Sequence, residues 1–167
     1  MTEMSTDTLT PNMMLHGEKA YEAAIDLVIG HAQRELLIFD QNLAKGGYSS
    51  LKRYEALRAF LARSSLNRLV MVLHDEQYLQ THCPRLMGLL KVYSHAITIH
   101  VTDEQVKSVR EVFLLADQIH YLHRFHADEA RFTYVLDDPA GANPLNMKFA
   151  ELLESCSQSV SATTSGL

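Results

Sequence analysis

Val112-Phe-Leu-Leu-Ala-Asp-Gln-Ile-His-Tyr-Leu-His-Arg-Phe-His-Ala-Asp-Glu-Ala-Arg-Phe-Thr-Tyr-Val-Leu136 decides the fold, because it holds three strand-like runs with no room for a helix between them. Val112–Ala116, Ile119–Phe125 and Phe132–Leu136 are separated by gaps too short for a crossover, so they must pair as antiparallel hairpins. Everything upstream follows a different grammar. Leu36-Leu-Ile-Phe39, Leu69-Val-Met-Val-Leu73 and Ile97-Thr-Ile-His-Val101 are short apolar runs of the kind buried on both faces of a parallel sheet.

Between those runs the apolar period becomes helical. Tyr21, Ala24, Ile25, Val28, Ile29 and Ala32 predict a helix over 17–33, and Leu51, Tyr54, Leu57, Phe60 and Leu61 a second starting near Ser49. A third is expected from Pro84, with Leu86, Leu89, Leu90 and Tyr93 facing inward. Asp138 to Pro144 reads as a turn-rich loop, after which Asn143 caps a last helix with Pro144 in its first position. The expected architecture is one α/β domain over 16–157. It is a mixed sheet of six or seven strands, parallel first and antiparallel later, with helices on both faces. Residues 1–15 and 158–167 read as disordered tails.

The bulk numbers bound the function. The 167 residues are 47% hydrophobic, enough for one core, and the net charge of −5 argues against general polyanion binding. Cys83 and Cys156 show no ligand spacing and read as reduced thiols. No apolar run approaches a membrane span and no signal-peptide pattern opens the chain, so the expected setting is cytoplasmic, with no membrane contact.

The stretch Arg110-Glu-Val-Phe-Leu-Leu-Ala-Asp117 resembles a degraded phospholipase D-like signature, His-x-Lys-x-x-x-x-Asp. It keeps Asp117 but has Arg110 in the histidine position and Val112 in the lysine position. With Tyr121-Leu-His-Arg124, Asp138-Pro and Met147-Lys-Phe149, the chain is similar to an uncharacterised, degenerate proteobacterial branch of that superfamily, often appended to GNAT-type acetyltransferases. The resemblance implies a phospholipase D-like half-domain. Active relatives use the histidine as nucleophile and the lysine as a phosphate-binding charge. Arginine stays protonated and cannot attack, and valine cannot hold an anion, so no catalytic residue is assigned.

Ligands of open α/β sheets gather at the carboxyl ends of parallel strands. That rule, with the resemblance, selects Asp40, Asn42, His74, Asp75, Arg110 and Asp117 as ligand-binding candidates. Seven residues of strand span roughly 23 Å, so Arg110 is expected to be free of Asp117 and open to a ligand or a second subunit. Lys45, Lys52, Arg53, Arg58, Arg63 and Arg68 oppose the single acid Glu55 and form a candidate basic patch for phosphates. The nine histidines lack metal-ligand spacing, so neither metal nor cofactor is expected. The leading expectation is a non-catalytic, homodimeric module that binds an anion, nucleic acid or protein. The alternatives are a phosphodiesterase or nuclease working through a relocated His74, His120 or His123, and a regulatory partner of an acetyltransferase.

Overall fold

The computed structural model describes residues 9–162. In chain order the elements are β1 (Leu15–His16), α1 (Glu18–His31), β2 (Glu35–Asp40), α2 (Leu51–Ala62), β3 (Arg68–Leu73), α3 (Gln77–His82) and α4 (Pro84–Val92). They continue with β4 (Ile97–Thr102), a single 3-10 turn (Glu104–Val106), β5 (Val112–Ala116), β6 (His120–His126), β7 (Glu129–Val135), α5 (Pro139–Glu154) and β8 (Cys156–Ser159). One eight-stranded sheet runs in the order β1-β7-β6-β5-β2-β3-β4-β8. The β2, β3 and β4 ladders are parallel, and the remaining pairings are antiparallel.

The period-2 alternation of the strands divides the core between two layers. Leu36 and Ile38 of β2 join Val112 and Leu114 of β5 under α1, α2 and α4, whereas Leu37, Phe39, Phe113 and Leu115 meet Ala142, Leu145, Phe149 and Leu152 of α5. Phe39 and Phe113 are fully buried, with ring centroids 5.4 Å apart. Each such side chain contributes about 1.5–3 kcal/mol by leaving water. Cys83 and Cys156 are both free thiols. Among the described residues no helix is long and apolar enough to cross a membrane.

Three local expectations change. The last helix starts at Asp138, whose carboxylate accepts from the Gly141 amide at 3.0 Å, with Pro139 rather than Pro144 in the first turn. Pro144 is interior to the helix but exposed, where its missing N–H removes one helical hydrogen bond. The segment 9–15, expected as tail, lies along β7: the Asn12 amide donates to Tyr134 O at 3.0 Å, and Leu15 pairs with Phe132. Finally, Cys156–Ser159, which straddles the expected domain boundary at 157, forms an edge strand on β4, and Val160 is buried behind it. Residues 1–8 and 163–167 of the expected tails lie outside the described residues.

Candidate functional site

The sheet brings Arg110 and Val112, the altered motif positions, to one small cavity of about 140 Å³. Its wall also includes Tyr21, Asp40, Gln41, Asn42, Lys45, Arg124 and Asp128. The position follows from topology. β5 runs antiparallel to β2, so the start of β5 meets the carboxyl end of β2. Gly46 and Gly47, both at positive φ, turn the chain back beside Lys45; a Cβ on Gly46 would stand 2.9 Å from Ile25 Cδ1.

Arg124 dominates the floor. It is 1% exposed, lies over the Tyr21 ring at 4.5 Å and donates bidentately to the Glu18 carboxylate, both bonds at 2.9 Å. A further Nη2 bond reaches Ala127 O at 2.8 Å, and Lys45 Nζ donates to the same carbonyl at 3.2 Å. The Arg124 hydrogen bond is the main reason Glu18 sits below the usual carboxylate range. Arg124 is therefore neutralised and spoken for.

Arg110 behaves differently. Its Nη1 donates to Gln41 Oε1 at 2.6 Å, and Nη2 lies 3.4 Å from both Asp128 oxygens, yet the side chain stays 43% exposed. Gln41 is oriented for this by donating its own amide to Glu111 O at 3.2 Å. Arg110 is thus less free than the sequence suggested, but it stands at the cavity mouth. Asp40, 5% exposed, is pushed up to about 6 by burial, against the pull of the amides of Gln41, Asn42 and Leu43.

Of the six ligand-binding candidates, Asp40, Asn42 and Arg110 share this cavity. Asp75 lines an adjoining hollow with Asn42 and accepts from the Gln77 amide at 2.7 Å. His74 points to the other layer, edge-on to Phe39. Its Nε2 lies 2.7 Å from Val109 O, which fixes that nitrogen as donor and leaves Nδ1, 2.7 Å from Thr102 Oγ1, as acceptor. Burial lowers its pKa, so it is held neutral.

Asp117 is at the opposite end of β5. It takes the amides of Gln33 and Arg34 at 2.8 Å and that of Glu35 at 3.0 Å, anchoring the entry to β2. The motif aspartate is structural here.

The basic patch does not survive as a unit. Arg53 is 2% exposed and bonded to Asp26, Glu22 O and Gly46 O; Lys52 pairs with Asp26 at 3.4 Å, and Arg63 donates to Ala32 O. Arg68 donates to Ser65 O and Asn67 O, Arg58 is exposed on α2, and only Lys45 reaches the cavity. The relocated-histidine candidates are likewise dispersed. His120 accepts from the Asp137 amide at the Asp117 end, and His123 lies 2.8 Å from Glu111 on the α5 face. Lys148 also bonds Glu111; burial pushes that carboxylate up, but the two bonds together hold it below its usual range. Among the described residues no group of three or more His, Cys, Asp or Glu side chains gathers to hold a metal ion.

Sequence reasoning missed Arg124, Glu18 and Asp128 as site residues, whereas Gln41 lies in the Asp40-Gln41-Asn42 stretch read at the carboxyl end of the first strand. The available signal was the strand period: Arg124 lies two residues beyond Leu122, on the same face, and so at a position due to face the core.

Comparison with solved structures supports the fold. The archaeal chromatin protein TrmBL2, whose structure is described as showing a novel mode of DNA binding, superposes with TM-score 0.62 at 12% identity, over 92% of this chain and 58% of that one. Phosphatidylserine synthase from Haemophilus influenzae Rd KW20 superposes with TM-score 0.59 at 9% identity, over 89% of this chain and 39% of that one. The chain thus spans less than two thirds of either, and the likeness is one of fold alone. No curated protein matches the sequence. Residues 16–162, which hold nearly the whole sheet and all its helices, match one family throughout, and the chain belongs to it: DUF7931, a domain of unknown function.

Proposed function

We propose that this chain is a non-catalytic phospholipase D-like module, cytoplasmic and homodimeric, that binds an anionic group at the Arg110 cavity. One observation carries the reading. The cavity holds two arginines, of which Arg124 is tied internally to Glu18 while Arg110 stays 43% exposed at the mouth. A half-exposed guanidinium keeps donor capacity for a phosphate or carboxylate and cannot act as nucleophile or base. A nucleic-acid ligand is compatible with the DNA binding described for TrmBL2.

Dimerisation is supported by the rim, which carries both signs, Arg110 and Asp128. Such a surface is self-complementary in a two-fold pairing. Calorimetric titration with pyrophosphate tests the anion site: wild type binds, and Arg110→Gln weakens binding tenfold or more. Equal affinity in the two proteins would remove Arg110 from the site. Light scattering tests the pairing, with twice the 18.9 kDa chain mass expected.

A further inference from the structure

Asn42 lines two hollows at once. On one side is the Arg110 cavity; on the other lies a hollow of about 230 Å³ walled by Asp75, Gln77, Tyr78, Thr81 and His82. Tyr78 and His82, one turn apart on α3, stack with ring centroids 4.6 Å apart and planes only 4° from parallel. Leu79 is the residue this short helix buries; Tyr78 is half-buried against the edge of the core and His82 is exposed, and both rings line the hollow. Its orientation is fixed. The Thr81 hydroxyl donates to Gln77 O at 2.8 Å, and His82 Nδ1, 2.7 Å from the same hydroxyl oxygen, is then the donor to it.

We propose that the ligand of this site is a nucleotide, its phosphate at Arg110 and Lys45 and its base on the Tyr78–His82 stack. The inference rests on the anion reading of the Arg110 cavity and adds the second half of the ligand. The two adjoining hollows have the polarity that a nucleotide has: cationic donors at one end, a flat ring surface at the other. Asn42, shared by both hollows, accepts from the Ala44 amide at 3.0 Å and turns its amide NH2 to ribose hydroxyls, and Asp75 in the second hollow spends only Oδ1 on the Gln77 amide, which leaves Oδ2 for them. A phosphopeptide or a lipid headgroup would fill the cationic end and leave the ring stack without a partner. Stacking tolerates any base, because every base presents a π-face.

The test compares AMP with ribose 5-phosphate by calorimetry on the intact chain. AMP is expected to bind about 5- to 150-fold tighter, the range that base–aromatic stacking supplies. Tyr78→Ala should bring AMP down to the ribose 5-phosphate level without touching the latter, and Tyr78→Phe should keep the wild-type difference. Arg110→Gln should weaken both ligands alike. Single-stranded dA6 against its abasic counterpart identifies the source. Base-dependent binding of the strand marks nucleic acid, and base-dependent binding of AMP alone marks a free nucleotide. Equal affinity for AMP and ribose 5-phosphate, both dependent on Arg110, would overturn the base platform and leave the anion reading standing. Absence of binding by all four would overturn both.

Discussion

Val112 and Arg124 stand directly opposite each other across β5 and β6, so the arginine brings a guanidinium already paired with Glu18 to the cavity wall where the valine position has no charge. The substitution is not equivalent in chemistry. A lysine at 112 would be a mobile point charge available to phosphate oxygens, whereas Arg124 is locked by its fork on Glu18 and by Tyr21 beneath it. The charge at 124 is part of the frame.

Arg124→Ala should therefore act on stability first. It leaves a void over Tyr21 and removes a bidentate pair, a combination that costs about 3 kcal/mol or more. Arg124→Met should cost clearly less, because it refills the volume while the half-exposed Glu18 is taken up by water. Urea unfolding midpoints of the three proteins check this. Equal losses for Ala and Met would mean that charge, not packing, sets the value.

Asp40 makes stability depend on pH in an unusual direction. Its folded pKa of about 6 lies above the ordinary 3.8, so between those values the folded state holds more proton than the unfolded one. Stability from this group is present at low pH and is lost as pH rises through 6, by roughly 3 kcal/mol in all. His74, held neutral, works the opposite way in a neighbouring range, so the wild-type curve alone does not isolate Asp40. The difference between wild type and Asp40→Asn does. The variant should gain on wild type as pH rises from 4 to 8, and a pH-independent difference would remove the buried charge from the account.

The sheet and its two layers were legible because burial on both faces writes itself into runs such as Leu69–Leu73, and the hairpins because no helix fits between Ala116 and His120. The edge strands were not. Leu15–His16 is too short to carry a pattern, and Cys-Ser-Gln-Ser, exposed on both faces beyond Cys156 and with an irregular register against β4, has none. Pro144 misled because a proline inside an exposed helix turn looks the same in sequence as one that begins a helix. At the site, position 110 was readable from the motif. The Arg124–Glu18 pair joins residues 106 apart and needed the β6 register and the α1 packing to appear. Asp117 was placed in the site by analogy, although antiparallel pairing puts it at the far end of β5.

Asp117 yields a prediction of its own. It sits at φ 56 and accepts three backbone amides, so Asp117→Ala loses the bonds and adds left-handed strain, about 2–3 kcal/mol together. Asp117→Gly loses the bonds but relieves φ and should be about 1 kcal/mol milder. Neither should change the affinity for pyrophosphate. A stable Asp117→Ala protein with weakened anion binding would return Asp117 to the site.

Hydrolysis gives the last prediction. Wild type should show only background turnover of a chromogenic phosphodiester and of single- and double-stranded DNA, with divalent metals supplied. The double variant Arg110→His, Val112→Lys should stay at background too. Restoring the two residue types does not free the cavity floor from the Arg124–Glu18 pair, and a lysine at 112 would meet Arg124 across the strand register as a like charge. The same variant should be less stable than wild type for that reason. Turnover by wild type that disappears with His74→Ala or His123→Ala would reverse the non-catalytic reading and place the chemistry on a relocated histidine. Of the two, His123 is the better placed, since Glu111 orients its ring at 2.8 Å while His74 spends both nitrogens on Thr102 and Val109.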